Sequence, residues 1–214
     1  MPSTFTKSEQ LLPIRVGNEG SSFDRLIADM GTCMKCDLCY HANQAVPPLW
    51  LGNLYNIDVM FIGEGPGADE DRYGKPFVGR AGQLLQDILQ EVNLVNDIYI
   101  TNVVKHRPPR NRKPTEREQA ICSGLFLGKE ITAVKPKCIV CLGRTPAEYL
   151  LRWSHNDITG SLRGKTFNLG GTGTEWQDTI PVFCTWHPAY ILRRMDKKSE
   201  LIDDINRVIN YITQ

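Results

Sequence analysis

Along the chain, short, mainly apolar runs alternate with longer stretches in which apolar residues recur every three or four positions. The runs at 57–62, 97–104, 138–142 and 180–185 are short and mostly β-branched or aromatic, so they predict four buried strands. Residues 81–92 carry apolar side chains at 84, 85, 88, 89 and 92, which is a helical stripe. Residues 116–134 predict a second helix that Thr115 can cap, 145–151 a third, and 201–212 a closing amphipathic one. Before the first strand, residues 23–30 read as a short helix, 43–55 as a loop marked by Pro and Gly, and the first 20 residues as a loose arm. A Gly-rich hairpin region spans 162–173.

Strand–helix alternation predicts an α/β fold: a three-layer sandwich on a mostly parallel, four-stranded central sheet, with residues 1–214 forming one domain. In such sheets ligands gather at the carboxyl ends of the strands. The unusual segments fall there: 63–67 after the first strand, 102–112 after the second and 187–194 after the fourth. These loops should meet at one crevice.

Composition narrows the setting. Hydrophobic residues make up 41% and charged residues 23%, ordinary for a soluble globular chain. No apolar run reaches the roughly 18–20 residues of a membrane span, and residues 1–20 lack the apolar core of an export signal. A cytoplasmic protein that needs no membrane and acts as a monomer is the expectation. Net charge is only +1, yet basic residues cluster at 105–113 and again at Arg193, Arg194, Lys197 and Lys198. Seven cysteines in such a chain read as metal ligands, small core residues or reactive thiols rather than disulfides.

The first loop reads Gly63-Glu64-Gly65-Pro66-Gly67-Ala68-Asp69-Glu70-Asp71 and runs on through Gly74-Lys75-Pro76-Phe77-Val78-Gly79-Arg80-Ala81-Gly82. The second is Thr101-Asn102-Val103-Val104-Lys105, then Arg107-Pro108-Pro109, Asn111-Arg112 and Pro114; the third is His187-Pro188-Ala189-Tyr190. Three such motifs, in this order on strand ends, resemble the iron–sulfur branch (family 4) of the uracil-DNA glycosylase superfamily, over about residues 33–194. The resemblance implies an enzyme that flips uracil out of DNA and hydrolyses its N-glycosidic bond, with uracil-containing DNA as partner. Excision of another modified or deaminated base, and a catalytically weak DNA-binding relative, are the alternatives.

Breaking that bond leaves positive charge on the sugar and negative charge on the base, so the site needs a base pocket, donors for the anion and an acceptor for water. Glu70 is the candidate to position water, and Glu64 shapes the pocket near the sugar. Gly65 lets backbone approach the base, and Phe77, between Pro76 and Gly79, suits a stacking platform. Asn102 can both donate and accept, matching the O4 and N3–H edge of uracil. Cytosine reverses that pattern and leaves polar groups unpaired at roughly 1–3 kcal/mol each. His187 is the candidate donor to uracil O2, a role worth about 3–4 kcal/mol elsewhere. Tyr190, Ile191 and Leu192 read as an apolar wedge for the duplex, with Arg193, Arg194 and Arg80 for phosphates.

Cys33 and Cys36 form a C-x-x-C, which the family uses for two ligands of a [4Fe–4S] cluster. Cys122 stands where the family has another. At position 106 the chain departs, with His106 in place of cysteine; histidine can ligate such clusters. Cys33, Cys36, His106 and Cys122 are the expected ligands, with Cys39 as the alternative fourth, a zinc site or no metal as further ones. Cys138 and Cys141, three apart on a strand, point to opposite faces and cannot chelate together; with Cys184 they read as core residues. His41 and His155 read as surface residues. Some relatives with histidine at the position of His106 trap the abasic sugar covalently through a basic insert in the second loop. The short 107–114 loop has no such insert, so trapping is not expected.

Overall fold

A computed structural model describes residues 21–152, 158–170 and 179–214. The predicted arm at 1–20 and His155 lie outside them. A capping box opens α1 (Ser22–Gly31): Asp24 N–H donates to Ser21 Oγ while the Asp24 carboxylate accepts from the Ser21 N–H. Then follow β1 (Leu49–Leu51), β2 (Val59–Gly63), α2 (Ala68–Tyr73), α3 (Arg80–Glu91) and β3 (Ile98–Asn102). Helix α4 (Glu116–Cys122) passes through a π-helical turn, Ser123–Leu127, into α5 (Gly128–Val134). The predicted helix over 116–134 therefore contains one widened turn, placed directly after Cys122. The chain continues through β4 (Cys138–Leu142), α6 (Arg144–Leu151), α7 (Ile158–Leu162), β5 (Thr166–Leu169), β6 (Ile180–Thr185), α8 (Pro188–Ile191) and α9 (Lys198–Ile212).

The four predicted strands form the parallel centre β3-β2-β4-β6, but among the described residues the sheet has six strands, not four. Strand β1 adds antiparallel to β3 and β5 antiparallel to β6, closing both edges. Both came from segments that read as loop and hairpin.

Every residue of β2, β3 and β4 is buried, and their side chains alternate between two cores. Met60, Ile62, Tyr99, Ile139 and Cys141 face a layer built on Leu26, Met30, Leu127 and Ile131. Val59, Phe61, Ile100, Cys138 and Val140 face the layer of Leu85, Ile88, Leu201 and Ile205. Helices thus cover both faces, giving three layers. Cys138 and Cys141 lie on opposite sides of the sheet, as the strand period requires.

The order of the parallel strands reverses at β2: the chain steps to β3 on one side, then crosses to β4 on the other. Helices leave on opposite faces at such a point, and a crevice opens beyond the strand ends.

Candidate active site

That crevice is a cavity of about 620 Å³ lined from four strand ends. Glu64, Gly65, Glu70 and Phe77 come from the loop after β2, Asn102 from the end of β3, Gly143 and Thr145 from the turn after β4, and His187 from the end of β6. The structure therefore brings Glu70, Asn102 and His187 around one hollow, within the usual size of a small-molecule pocket.

Each is held by local chemistry. Glu70 Oε2 accepts the Gly67 N–H at 3.1 Å and Oε1 accepts the Gly79 N–H at 2.8 Å, so one carboxylate clamps both ends of the first loop. Each oxygen retains a lone pair for a further donor. Glu64 Oε2 accepts the Thr145 hydroxyl at 2.5 Å. Asn102 is buried, and its side-chain amide has no partner among the described residues. Phe77 is buried with φ 54°, an uncommon backbone for an aromatic residue. Its ring lies against Gly63, where even a Cβ would stand 2.9 Å from Phe77 Cζ.

His187 is the N-cap of α8, and its Nδ1 accepts the Ala189 N–H at 3.1 Å. Burial, and secondarily the charge of Arg193, lower its pKa to about 4. The imidazole is therefore neutral at pH 7. With Nδ1 serving as acceptor, the proton sits on Nε2, which is the ring's remaining donor. Gly143, at φ 86°, makes room for this ring: a Cβ there would lie 2.8 Å from His187 Cβ.

Residues 49–210 match the model of the uracil DNA glycosylase superfamily. The chain belongs to that superfamily. It is 36% identical over 190 residues to the type-4 uracil-DNA glycosylase of Archaeoglobus fulgidus, spanning 87% of this chain and 92% of that protein. It is 38% identical over 182 residues to the type-4 enzyme of Thermotoga maritima (83% and 90%), and 40% identical over 190 residues to that of Saccharolobus solfataricus (86% and 83%).

In this superfamily member the predicted DNA contacts divide. Arg80, Tyr190 and Arg193 line the cavity. Leu192 and Arg194 do not: Leu192 packs against the second core, and Arg194 pairs with Asp196 at 2.8 Å. Within the predicted wedge, Ile191 is 0% exposed, Tyr190 stacks on Trp186 at 4.7 Å and is partly exposed, and the segment Pro188–Ile191 forms a short helix.

The cysteines show a sulfur-rich corner. Burial pushes the Cys122 thiol up to about 11, against the lowering effect of Lys105, and Cys36 and Cys33 add to the rise. Burial likewise raises Cys36, with Cys33, Glu118 and Cys39 contributing. Cys33 raises the cost of ionising both Cys36 and Cys122, so the three thiols lie near one another, and their soft donors fit a thiolate metal site. The side chains do not close into a ligand shell: among the described residues no three His, Cys, Asp or Glu groups converge as ligands. His106 is buried beside Asp71, and burial lowers its pKa. It follows Lys105, whose N–H donates to Cys122 Sγ at 3.2 Å.

The turn after β4 was missed in the sequence. Gly143, Arg144 and Thr145 all line the cavity. The signal was a glycine closing a buried strand, the same signal that marks the loop after β2. His41 is exposed, and no described helix is long and apolar enough to cross a membrane.

Proposed function

We propose that this protein excises uracil from DNA in base-excision repair, as a monofunctional glycosylase. One observation carries the reading: a carboxylate (Glu70), a buried amide (Asn102) and a neutral imidazole with its Nδ1 held as acceptor (His187) share a cavity of about 620 Å³ beside an aromatic ring.

The flipped base would lie on Phe77, its O4 and N3–H edge read by the Asn102 amide. As the bond to the sugar lengthens, negative charge grows on the base, and His187 Nε2–H would donate to O2. A neutral donor is suited to this: it stabilises the anion without first surrendering a proton. Glu70, held by two backbone N–H groups, would use its free lone pairs to orient water toward the sugar. Glu64, fixed by Thr145, would face the sugar's positive charge. Gly65 lets backbone close on the base. Arg80, at the first position of α3, and Arg193 would hold flanking phosphates. Cys33, Cys36 and Cys122, with His106 or alternatively Cys39, would hold a [4Fe–4S] cluster. Such a cluster would tie the N-terminal segment to the second loop and to α4 rather than take part in the hydrolysis.

The test is an end-labelled oligonucleotide with a single uracil. The strand should stay whole after incubation and break at the uracil only after hot alkali; a strand that survives alkali overturns the activity. Glu70→Ala, Asn102→Ala and His187→Ala should each slow release, by about 10²–10³-fold for His187. Wild-type rates in all three would refute the site.

A further inference from the structure

Behind the base-reading amide lies a buried charge pair that the reaction above does not use. Lys105 is 1% exposed and Glu130 0%. Lys105 Nζ donates to Glu130 Oε2 at 2.6 Å, to Thr101 Oγ1 at 2.6 Å and to the backbone carbonyl of Asn102 at 2.8 Å. An ammonium has three protons, and all three are used. The other Glu130 oxygen accepts the hydroxyls of Tyr99 and Thr101, each at 2.9 Å. Burial, and then the Glu130 charge, hold the Tyr99 phenol well above its ordinary pKa, so it remains a donor.

A buried ion pair is seldom the most stable way to fill a core, since well-packed apolar residues of similar volume often serve as well or better. Its distinctive property is direction. Here every bond outside the pair itself ends on β3: the Tyr99 hydroxyl near its start, and the Thr101 hydroxyl and the Asn102 carbonyl at its carboxyl end. Pairing of β3 with β2 ends at Gly63 opposite Asn102, and the chain then turns away, with the Val103 and Val104 N–H groups donating to the carbonyls of Gly63 and Glu64. At that turn the Asn102 carbonyl is anchored by Lys105 alone among the side chains described. Among the described residues the side-chain amide of Asn102 has no hydrogen bond to fix it, so its aim depends on its backbone.

We propose that Lys105 and Glu130, bridged by Thr101, form a positioning unit for Asn102 that sets how the amide enters the cavity and hence how faithfully the pyrimidine edge is read. The inference rests on the reading of Asn102 as the base-reading group. Lys105 and Glu130 touch no substrate; they act through Asn102.

The experiment is a coupling measurement on single-turnover uracil release. Lys105→Met and Thr101→Val are each made in the wild-type and in the Asn102→Ala background, with thermal unfolding followed in parallel. In the wild-type background each substitution should slow release by about tenfold or more; with Asn102 already alanine each should cost less than about threefold, because the group they aim is gone. Equal fold-losses in both backgrounds would mean that the pair merely supports the fold, and would overturn the proposal. Should Lys105→Met fail to fold, Thr101→Val, which removes one hydroxyl at nearly constant volume, decides the matter by the same criterion. A wild-type protein that releases no uracil, or an Asn102→Ala variant as fast as wild type, would instead sink the reading of the site itself.

Discussion

Gly63→Ala adds one methyl group, and the structure says where it goes. Gly63 ends β2 in register with Asn102. A Cβ at this position would stand 2.4 Å from Asn102 Oδ1 and 2.9 Å from Phe77 Cζ, whereas ordinary contact begins at 3.4 Å. Something must retreat, and both neighbours are groups proposed to hold the base. The amide oxygen has to move by about 1 Å, and misplacement on that scale at a reacting centre costs on the order of 10²-fold in rate. Overpacking itself destabilises by about 1–3 kcal/mol, because Phe77 and Asn102 are both buried and cannot swing into solvent.

Single-turnover release of uracil from a labelled oligonucleotide, with thermal unfolding in parallel, measures both effects. Release should fall by about 10²-fold while the protein still unfolds cooperatively. Gly31→Ala is the control, since an added methyl there meets nothing within 4 Å; it should leave the rate unchanged. A folded Gly63→Ala protein within about threefold of the wild-type rate would show that the amide and the ring do not hold the base as argued.

His187 predicts a pH dependence with a definite sign. Its folded pKa of about 4 lies below the ordinary 6.5, so the unfolded chain binds the extra proton first. Its contribution to stability is complete above about pH 6.5 and is lost as pH falls toward about 4, and chemical-denaturation midpoints across that window should show a loss that His187→Gln reduces. Thr115 caps α4 by accepting the Glu118 N–H at 3.2 Å, so Thr115→Ala should cost about 1 kcal/mol in urea unfolding, and an unchanged midpoint would refute the cap. Protein purified without oxygen should contain iron and inorganic sulfide in equal amounts, and both should drop in Cys36→Ser and Cys122→Ser. Loss of iron in His106→Ala with retention in Cys39→Ser assigns the fourth ligand to His106, and the reverse pattern assigns it to Cys39.

The parts of the fold legible in the sequence were those whose burial is complete. Strands β2, β3 and β4 are covered on both faces and read as mainly apolar runs. The edge strands are different. Leu49–Leu51 is three residues, each only partly buried, and takes its shape from the open edge of β3 rather than from its own pattern. Helix α2 has no apolar stripe in Ala-Asp-Glu-Asp-Arg-Tyr; it forms because Glu70 reaches back to the Gly67 N–H, and it stops at Gly74, whose φ is 64°. A reader of sequence sees a charged loop there. Tyr190, Ile191 and Leu192 are the opposite case. Their apolar character is plain after His-Pro, but their packing partners, Trp186 and the α3 and α9 layer, are distant in sequence or invisible as partners without coordinates.

The ion pairing of the two basic runs bears on how DNA would be held. Several cations of the two basic runs sit in ion pairs at the protein surface. Arg112 forms two bonds to Glu118, whose pKa falls to about 2 as a result, and Lys113 shares Glu148 with Arg144. Arg194 pairs with Asp196, Lys197 with Glu200 and Lys198 with Glu91. Arg80 and Arg193 line the cavity and form no ion pair among the described residues. Non-specific affinity for a duplex scales with the number of phosphates neutralised. Arg80 and Arg193 would put phosphate contact beside the point where a base enters and is read. Arg193 serves there twice over. Its charge suits a phosphate, and the same charge discourages protonation of His187. A phosphate seated on Arg193 would offset the second effect, but burial is the larger cause of the lowered pKa, so the imidazole would still meet the departing base as a neutral donor.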